Sequence, residues 1–268
     1  GHHFGLLPVL VVPLMIQLEN VTKVLSGRAI LSELNLSIEE GETLVLLGRS
    51  GTGKSVTLRH IVGLMQPDSG RVEVLGQSLT GASMEQLSTI RSQIGYLFQD
   101  GALLNWLTIA ENVALPLLES HKLPAAEVNN RVSNALREVE LDHHGEKLPG
   151  EISGGMRKRV DLARAFSAEP ELLLMDEPFG ALDIMTKEKL QEELRKFWVE
   201  RPRTIVFITH DVEEAVFLGD KVIVMTPRPG RIDLIIEPNL SKNRDMSIKS
   251  DSVFFDNVKK IRQRIKDH

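Results

Sequence analysis

The residues Gly48-Arg49-Ser50-Gly51-Thr52-Gly53-Lys54-Ser55 fit the pattern G-x-x-x-x-G-K-[ST]. Glycines let a backbone curl until successive N–H groups point inward, a concavity suited to phosphate oxygens. A helix beginning at Gly53 adds the partial positive charge of its N-terminus. In that setting Lys54 reaches the β- and γ-phosphates of a nucleoside triphosphate, and the Ser55 hydroxyl ligates Mg²⁺. Downstream, the apolar run Leu172-Leu173-Leu174-Met175 delivers two adjacent carboxylates, Asp176 and Glu177, at its C-terminal end. Asp176 suits contact with Mg²⁺ through water, and Glu177 can orient or polarise an attacking water. Side chains alternate faces along a strand, so the two acids need not compete for one place.

These residues must be held by a particular kind of scaffold. Thr43-Leu44-Val45-Leu46-Leu47 is a continuous apolar run, the pattern of a strand buried on both faces in a parallel sheet. A helix from about Gly53 to Met65, stopped before Pro67, should follow it directly. Leu172–Met175 and Thr204–Thr209 have the same buried texture, each followed by a polar or acidic residue and then a helix. That repetition predicts a mostly parallel α/β sheet with crossover helices. Alternation over residues 16–21 and 34–39, around a turn at Ser26-Gly27, predicts an antiparallel β piece beside it. Residues 100–165 carry helical periodicity without a convincing strand and read as an inserted helical subdomain. Residues 239–250 are polar and aperiodic and read as a linker. Beyond them Phe254, Val258, Ile261 and Ile265 share one face of a terminal helix, which either packs on its own domain or docks a partner.

Composition excludes several chemistries. The chain of 268 residues has no cysteine, which removes disulfides, thiolate metal sites and a thiol nucleophile together. A net charge of -5 provides no global cationic field for a nucleic-acid backbone. No apolar run reaches the ~18 to 20 residues that cross a bilayer. Gly1-His2-His3 looks like a tag remnant and Met15 like a natural start, so residues 1–14 are expected to be a tag or mis-set start, with a membrane-surface anchor as the competing reading.

With both phosphate-site motifs in hand, the chain from Met15 to about Glu237 resembles the ATP-binding cassette (ABC) transporter ATPases, a P-loop fold with a RecA-like core. Ile152-Ser153-Gly154-Gly155-Met156 looks like the family's signature sequence, with Ile for Leu at its first position and Met for the more usual Gln at its last. Physically, Ser153 is a good N-cap, and Gly154 and Gly155 leave N–H groups open at a helix start. The resemblance implies that this end completes the site of an opposite subunit, giving an ATP-sandwiched dimer of two copies. Gln99 matches the glutamine that senses Mg²⁺ and the attacking water, Ala181-Leu182-Asp183 the loop along the dimer interface, and His210 the histidine that contacts the γ-phosphate. Two positions depart from the pattern. Where the family stacks an aromatic ring on adenine, this chain offers Val24 or Leu25, and Val56 stands where Thr is usual after Ser55.

The implied cofactors are ATP and Mg²⁺, with Ser55, Gln99 and Asp176 around the metal. The implied partners are separate membrane permease subunits, a second copy of the chain and a substrate-binding protein, with no nucleic acid. The implied location is the cytoplasmic face of the inner membrane. Ala102–Leu107 is either a docking lip for the permease or ordinary core. For cargo, the segment Met84 to Leu118 looks most like ATPases of bacterial lipid transport of the mammalian-cell-entry type. Asn105-Trp106-Leu107-Thr108, the run from Asp176 to Asp183 and the run from Met225 to Arg231 look like nitrate and sulfonate importers. Lipid is the preferred expectation because its match spans a whole element. A soluble cassette ATPase of DNA repair or translation is the alternative class, disfavoured by the absence of a coiled-coil insertion or a tandem cassette.

Overall fold

A computed structural model describes residues 11–99, 101–119 and 122–268. Residues 1–10 of the expected tag, and Asp100 within the Phe98–Leu103 segment, lie outside the described residues. Strands β1 (Leu14–Leu25) and β2 (Arg28–Glu39) form a long antiparallel hairpin. Its turn residues Ser26 and Gly27 have φ of 50° and 74°, the left-handed backbone that a two-residue hairpin turn requires. Pairing starts at Leu14, and Pro13 O accepts a bond from Glu40 N over 3.1 Å, so the last residues of the 1–14 segment are part of the fold.

The next strand, β3 (Thr43–Leu47), enters a different sheet, whereas β4 (Ser69–Val74) and β5 (Gln77–Ser78) return to the first and give the order β2-β1-β4-β5. The second sheet adds β6 (Ile94–Leu97), β7 (Leu172–Asp176), β8 (Thr204–Thr209), β9 (Lys221–Met225) and β10 (Ile232–Ile236) in the order β10-β9-β3-β8-β7-β6. Only the β10–β9 pairing is antiparallel.

The six-stranded sheet is buried on both faces, which explains its unbroken apolar runs. Val45, Leu47, Leu173, Met175, Ile205 and Phe207 point into one core, and Leu44, Leu46, Leu172, Leu174, Val206 and Ile208 into the other. The second core is closed by α1 (Lys54–Ile61), α2 (Met84–Arg91) and the inner face of the β1–β2 hairpin. The first is closed by α3 (Ile109–Glu119), α4 (Ala125–Glu138), α5 (Gly154–Ser167), α6 (Ile184–Glu200) and α7 (Val212–Leu218).

Two sequence expectations change, and the open choice for the terminal helix is resolved. α1 stops at Ile61 rather than near Met65 because Gly63 takes φ 71° and its N–H returns to His60 O over 3.1 Å. Residues 239–250 are not a free linker. Arg244 is buried and donates to Phe217 O at 2.7 Å and Gly219 O at 3.0 Å, strapping the segment to the end of α7. The terminal helix α8 (Ser252–Lys266) then lays Phe254, Val258 and Ile261 into the first core, so that face packs on its own domain. Of the Ala102–Leu107 stretch, Leu103 packs on that core while Trp106 is 74% exposed.

Candidate active site

The sheet order places the carboxyl ends of β3, β8, β7 and β6 side by side, the place where open parallel sheets bind ligands. Between β3 and α1 the glycine-rich loop turns through Gly51 (φ 81°) and Gly53 (φ 88°). At Gly53 a Cβ would lie 2.6 Å from Leu31 Cδ2 and 3.2 Å from Ile30 O, so glycine is required by space as well as by φ. Gly53 makes no side-chain cap bond, which leaves the first N–H groups of α1 open to an anion. The Lys54 ammonium, only 6% exposed, folds back onto the carbonyls of Gly48 and of Arg49, the latter at 3.0 Å. Burial lowers its pKa, and Glu177 and Asp176 oppose that shift. A phosphate entering the loop would exchange these carbonyls for oxygens of full negative charge.

Asp176 ends β7 in register with Ile208, and Glu177 N donates to Ile208 O over 3.0 Å, so both acids are fixed by the sheet. Glu177 itself has φ 44°, an unusual backbone for a residue with a long side chain. Burial first, then the Glu177 charge, pushes the Asp176 carboxyl above its ordinary value, against the pull of Lys54 and Arg59. Gln99, two residues past β6, donates through Nε2 to Glu177 Oε2 at 3.2 Å. His210, directly after β8, sets Nδ1 3.4 Å from Glu177 Oε1. The carboxylate therefore lies between an amide and an imidazole, over a cleft of about 750 Å³ that the glycine loop walls from the other side.

Ser55, Gln99 and Asp176 line that cleft as hard oxygen donors, and among the described residues no group of three or more His, Cys, Asp or Glu could hold a metal unaided. One carboxylate with a hydroxyl and an amide fits Mg²⁺ taken up together with phosphate oxygens, the usual way this ion is held.

Residues 31–180 match the family model described as ABC transporter. The aliphatic sulfonates import ATP-binding protein SsuB of Bacillus anthracis is 38% identical over 221 residues, 82% of this chain and 83% of the relative. The chain belongs to the ABC transporter family. It is an ATPase subunit of that family, and the taurine import ATP-binding protein TauB of Roseobacter denitrificans is 42% identical over 203 residues, 75% of this chain and 72% of the relative. Among solved structures, a dimeric post-hydrolysis ATP-binding cassette bound to ADP and Pi aligns at TM-score 0.72 and 34% identity, over 83% of this chain and 98% of that one. The cbiO1 component of the cbiONQ ABC transporter complex of Clostridium perfringens aligns at TM-score 0.79 and 28% identity, over 94% and 97%.

Not every expected site residue of this ABC ATPase meets in the cleft. Arg49 to Val56, Gln99, Asp176, Glu177 and His210 line it, and Gly48 closes the loop from behind as a lysine acceptor. Ser153, Gly154 and Gly155 do not line it. Ser153 caps α5 by accepting from Met156 N at 3.2 Å, and a Cβ on Gly155 would lie 2.8 Å from Thr186 Cγ2. The signature turn thus sits against the start of α6, which Asp183 caps by accepting from Thr186 N at 3.0 Å. Hydrogen bonds from the Thr186 hydroxyl first, and from its N–H second, hold the Asp183 carboxyl below its ordinary pKa. Leu25, half-buried at the end of β1, also lies outside the lining, and Ile30 supplies the apolar wall instead.

Two further residues belong to the site that motif reading did not find. Lys158 of α5 donates to Gln99 O at 2.8 Å and so ties the signature helix to the glutamine segment. Arg228, from the loop between β9 and β10, reaches the cleft beside Gly51. Neither is marked by spacing, because both act across long sequence separations that only the sheet order closes.

Proposed function

We propose that this ABC ATPase energises the import of small sulfonate-like organic anions through separate membrane permease subunits. The carrying observation is the convergence of the glycine loop, Asp176, Glu177, Gln99 and His210 on one cleft at the ends of four adjacent strands. In this reading the loop N–H groups and Lys54 bind the β- and γ-phosphates of ATP. Ser55, Gln99 and Asp176 hold Mg²⁺, which when bound neutralises charge on the phosphate oxygens. Glu177 accepts a proton from the attacking water or orients it, and Gln99 and His210 keep that carboxylate aimed across the cleft. His210 also faces the γ-phosphate.

Ser153, Gly154, Gly155 and Asp183 serve the opposite copy, so that two chains sandwich two ATP molecules. Their separation from the cleft of their own chain supports this reading, as does the dimeric state of the related cassette bound to ADP and Pi. Trp106 and Phe98, both exposed next to the Gln99 segment, suit contact with the permease. Among the described residues no helix is long and apolar enough to cross a membrane, which supports peripheral association with such subunits. A substrate-binding protein completes the proposed importer. The relatives described above are named for sulfonate and taurine import, which favours that cargo over the expected lipid.

The decisive experiment is size exclusion of Glu177→Gln with ATP and Mg²⁺. A dimer that retains ATP while hydrolysis falls roughly 10²- to 10⁴-fold is expected. A variant that stays monomeric with ATP would count against the composite site. For cargo, co-purified subunits that include a periplasmic solute receptor support the importer, and a mammalian-cell-entry-type binding protein would overturn it.

A further inference from the structure

The loop between β9 and β10 is fastened to the phosphate-binding turn more firmly than a surface hairpin requires. Gly230 N donates to Ile30 O at 2.7 Å, and Ser32 N returns to Gly230 O at 3.2 Å. A Cβ on Gly230 would collide with Thr52 O, so the strap backbone lies directly on the glycine loop. Within the strap, Thr226 N donates to Arg231 O at 2.8 Å, and Thr226 Oγ1 donates to Pro229 O at 3.1 Å. Arg231 is itself held by Ser32 Oγ at 3.1 Å. The strap is thus held to the protein through Thr226, Gly230 and Arg231, whereas one side chain at its tip is not.

That side chain is Arg228. Among the described residues its guanidinium has no hydrogen-bond or ion-pair partner, unlike Arg195, Arg231 and Arg244, whose donors reach carbonyls, hydroxyls or carboxylates. Its Nε and Nη2 both stand 3.5 Å from the place a Cβ on Gly51 would occupy, and it lines the same cleft as Lys54 and Glu177. A rigid mount with free planar donors at the lip of an anion cradle is the arrangement that suits a phosphate oxygen. Its position beside Gly51, and not beside Leu25 at the end of β1, favours the phosphate chain over the base.

We propose that Arg228 is a further nucleotide-contacting residue, whose guanidinium binds the polyphosphate of ATP from the strap that overlies the glycine loop. The proposal rests on the ATPase reading of the cleft. It also offers a source of affinity for a chain that lacks an aromatic ring at Leu25.

The test is equilibrium binding of ATP by calorimetry, without Mg²⁺ so that no turnover occurs, to the full chain and to Arg228→Met and Arg228→Lys. Methionine keeps most of the aliphatic stem and removes the charge. Because Arg228 is exposed, both variants should fold, which a thermal melt checks. R228M is expected to bind ATP roughly tenfold more weakly, the size of one charge-assisted contact, and R228K to recover most of that loss. Unchanged affinity in R228M would overturn the proposal. So would an R228K no better than R228M, which would assign the planar group to stacking on the base. Wild-type protein that binds no ATP would overturn the ATPase reading itself, whereas normal wild-type binding with an unaffected R228M overturns this proposal alone.

Discussion

Gln99 donates through Nε2 to Glu177 Oε2 at 3.2 Å, linking the end of β6 to the end of β7, while Gln99 O accepts from Lys158 Nζ at 2.8 Å. A single residue thus joins the carboxylate of the cleft to α5, the helix that begins with Gly154 and Gly155. Any shift of α5, such as one produced when its open N-terminus meets an anion on a second copy, would be felt at Glu177 through two hydrogen bonds. Gln99→Ala removes a bond to a charged group, worth about 1.5–3 kcal/mol, and should lower kcat by roughly ten- to a hundredfold. Because Gln99 bonds Glu177 and shares the proposed Mg²⁺ site with Ser55 and Asp176 while making no contact with the glycine loop, KM for MgATP should rise less than kcat falls. Steady-state phosphate release measures both, and a variant with wild-type kcat would remove Gln99 from the mechanism.

Asp176 illustrates a site held at the expense of stability. Burial and the neighbouring Glu177 raise its pKa, so the folded state favours the protonated acid. Between its ordinary value and the raised one the folded protein binds more protons than the unfolded chain, and stability falls as pH rises through that window. Above it the penalty is fully present. Asp176→Asn removes the penalty at neutral pH and should raise the melting temperature of the nucleotide-free protein while eliminating Mg²⁺-dependent hydrolysis. The gain should shrink as pH falls through the raised pKa. Melts at several pH values decide it, and a variant less stable than wild type at neutral pH would contradict this account.

Much of this architecture was legible in the residues, for identifiable reasons. The strands β3, β7 and β8 read as apolar runs because both of their faces are covered, and the hairpin of β1 and β2 read as alternation because one face is open. The glycine loop was legible because its spacing serves a local backbone shape. Lys158 and Arg228 were not legible as site residues, since Lys158 meets Gln99 and Arg228 approaches Gly51 across long sequence separations, and the run from Met225 to Arg231 gave Arg228 no role at the phosphate loop. Residues 239–250 misled for a related reason. Their polarity suits solvent, yet Arg244 is buried because its guanidinium satisfies the carbonyls at the end of α7. The helical expectation for α1 overran because the apolar period continues past Ile61 while Gly63 turns the backbone away.

Gly53→Ala tests the loop itself. The substitution forces a side chain into φ 88° and sets its Cβ 2.6 Å from Leu31 Cδ2 and 3.2 Å from Ile30 O. The left-handed backbone alone costs about 1–2 kcal/mol, and relief of the clash would displace the turn that presents Lys54. A lower melting temperature and an ATP affinity reduced by roughly tenfold or more are expected, the second effect exceeding what the conformational strain alone predicts. Calorimetric binding of ATP measures it. Retained affinity would mean that the loop tolerates a different path.

Lys187 provides a test away from the cleft. Its ammonium bonds Asp211 Oδ2 at 2.7 Å and lies 3.1 Å from Glu214 Oε2, which joins α6 to the start of α7 just after His210. Glu214 is buried, and desolvation raises its pKa even with Lys187 opposing the shift. Lys187→Met leaves Gln191, at 2.7 Å, and the Thr209 hydroxyl as the uncharged side chains still bonded to that carboxylate. Breaking a buried pair by removing one partner costs about 3–5 kcal/mol, and the partial exposure of Lys187 places the expected loss near the lower end. With its cation gone, Glu214 should titrate at still higher pH, so the deficit is fully present above that raised value and shrinks as pH falls through it. Urea unfolding at two pH values reads this directly. The double variant with Glu214→Gln should recover part of the loss by removing the stranded charge, and a K187M protein as stable as wild type at neutral pH would show that this pair does not hold α6 to α7.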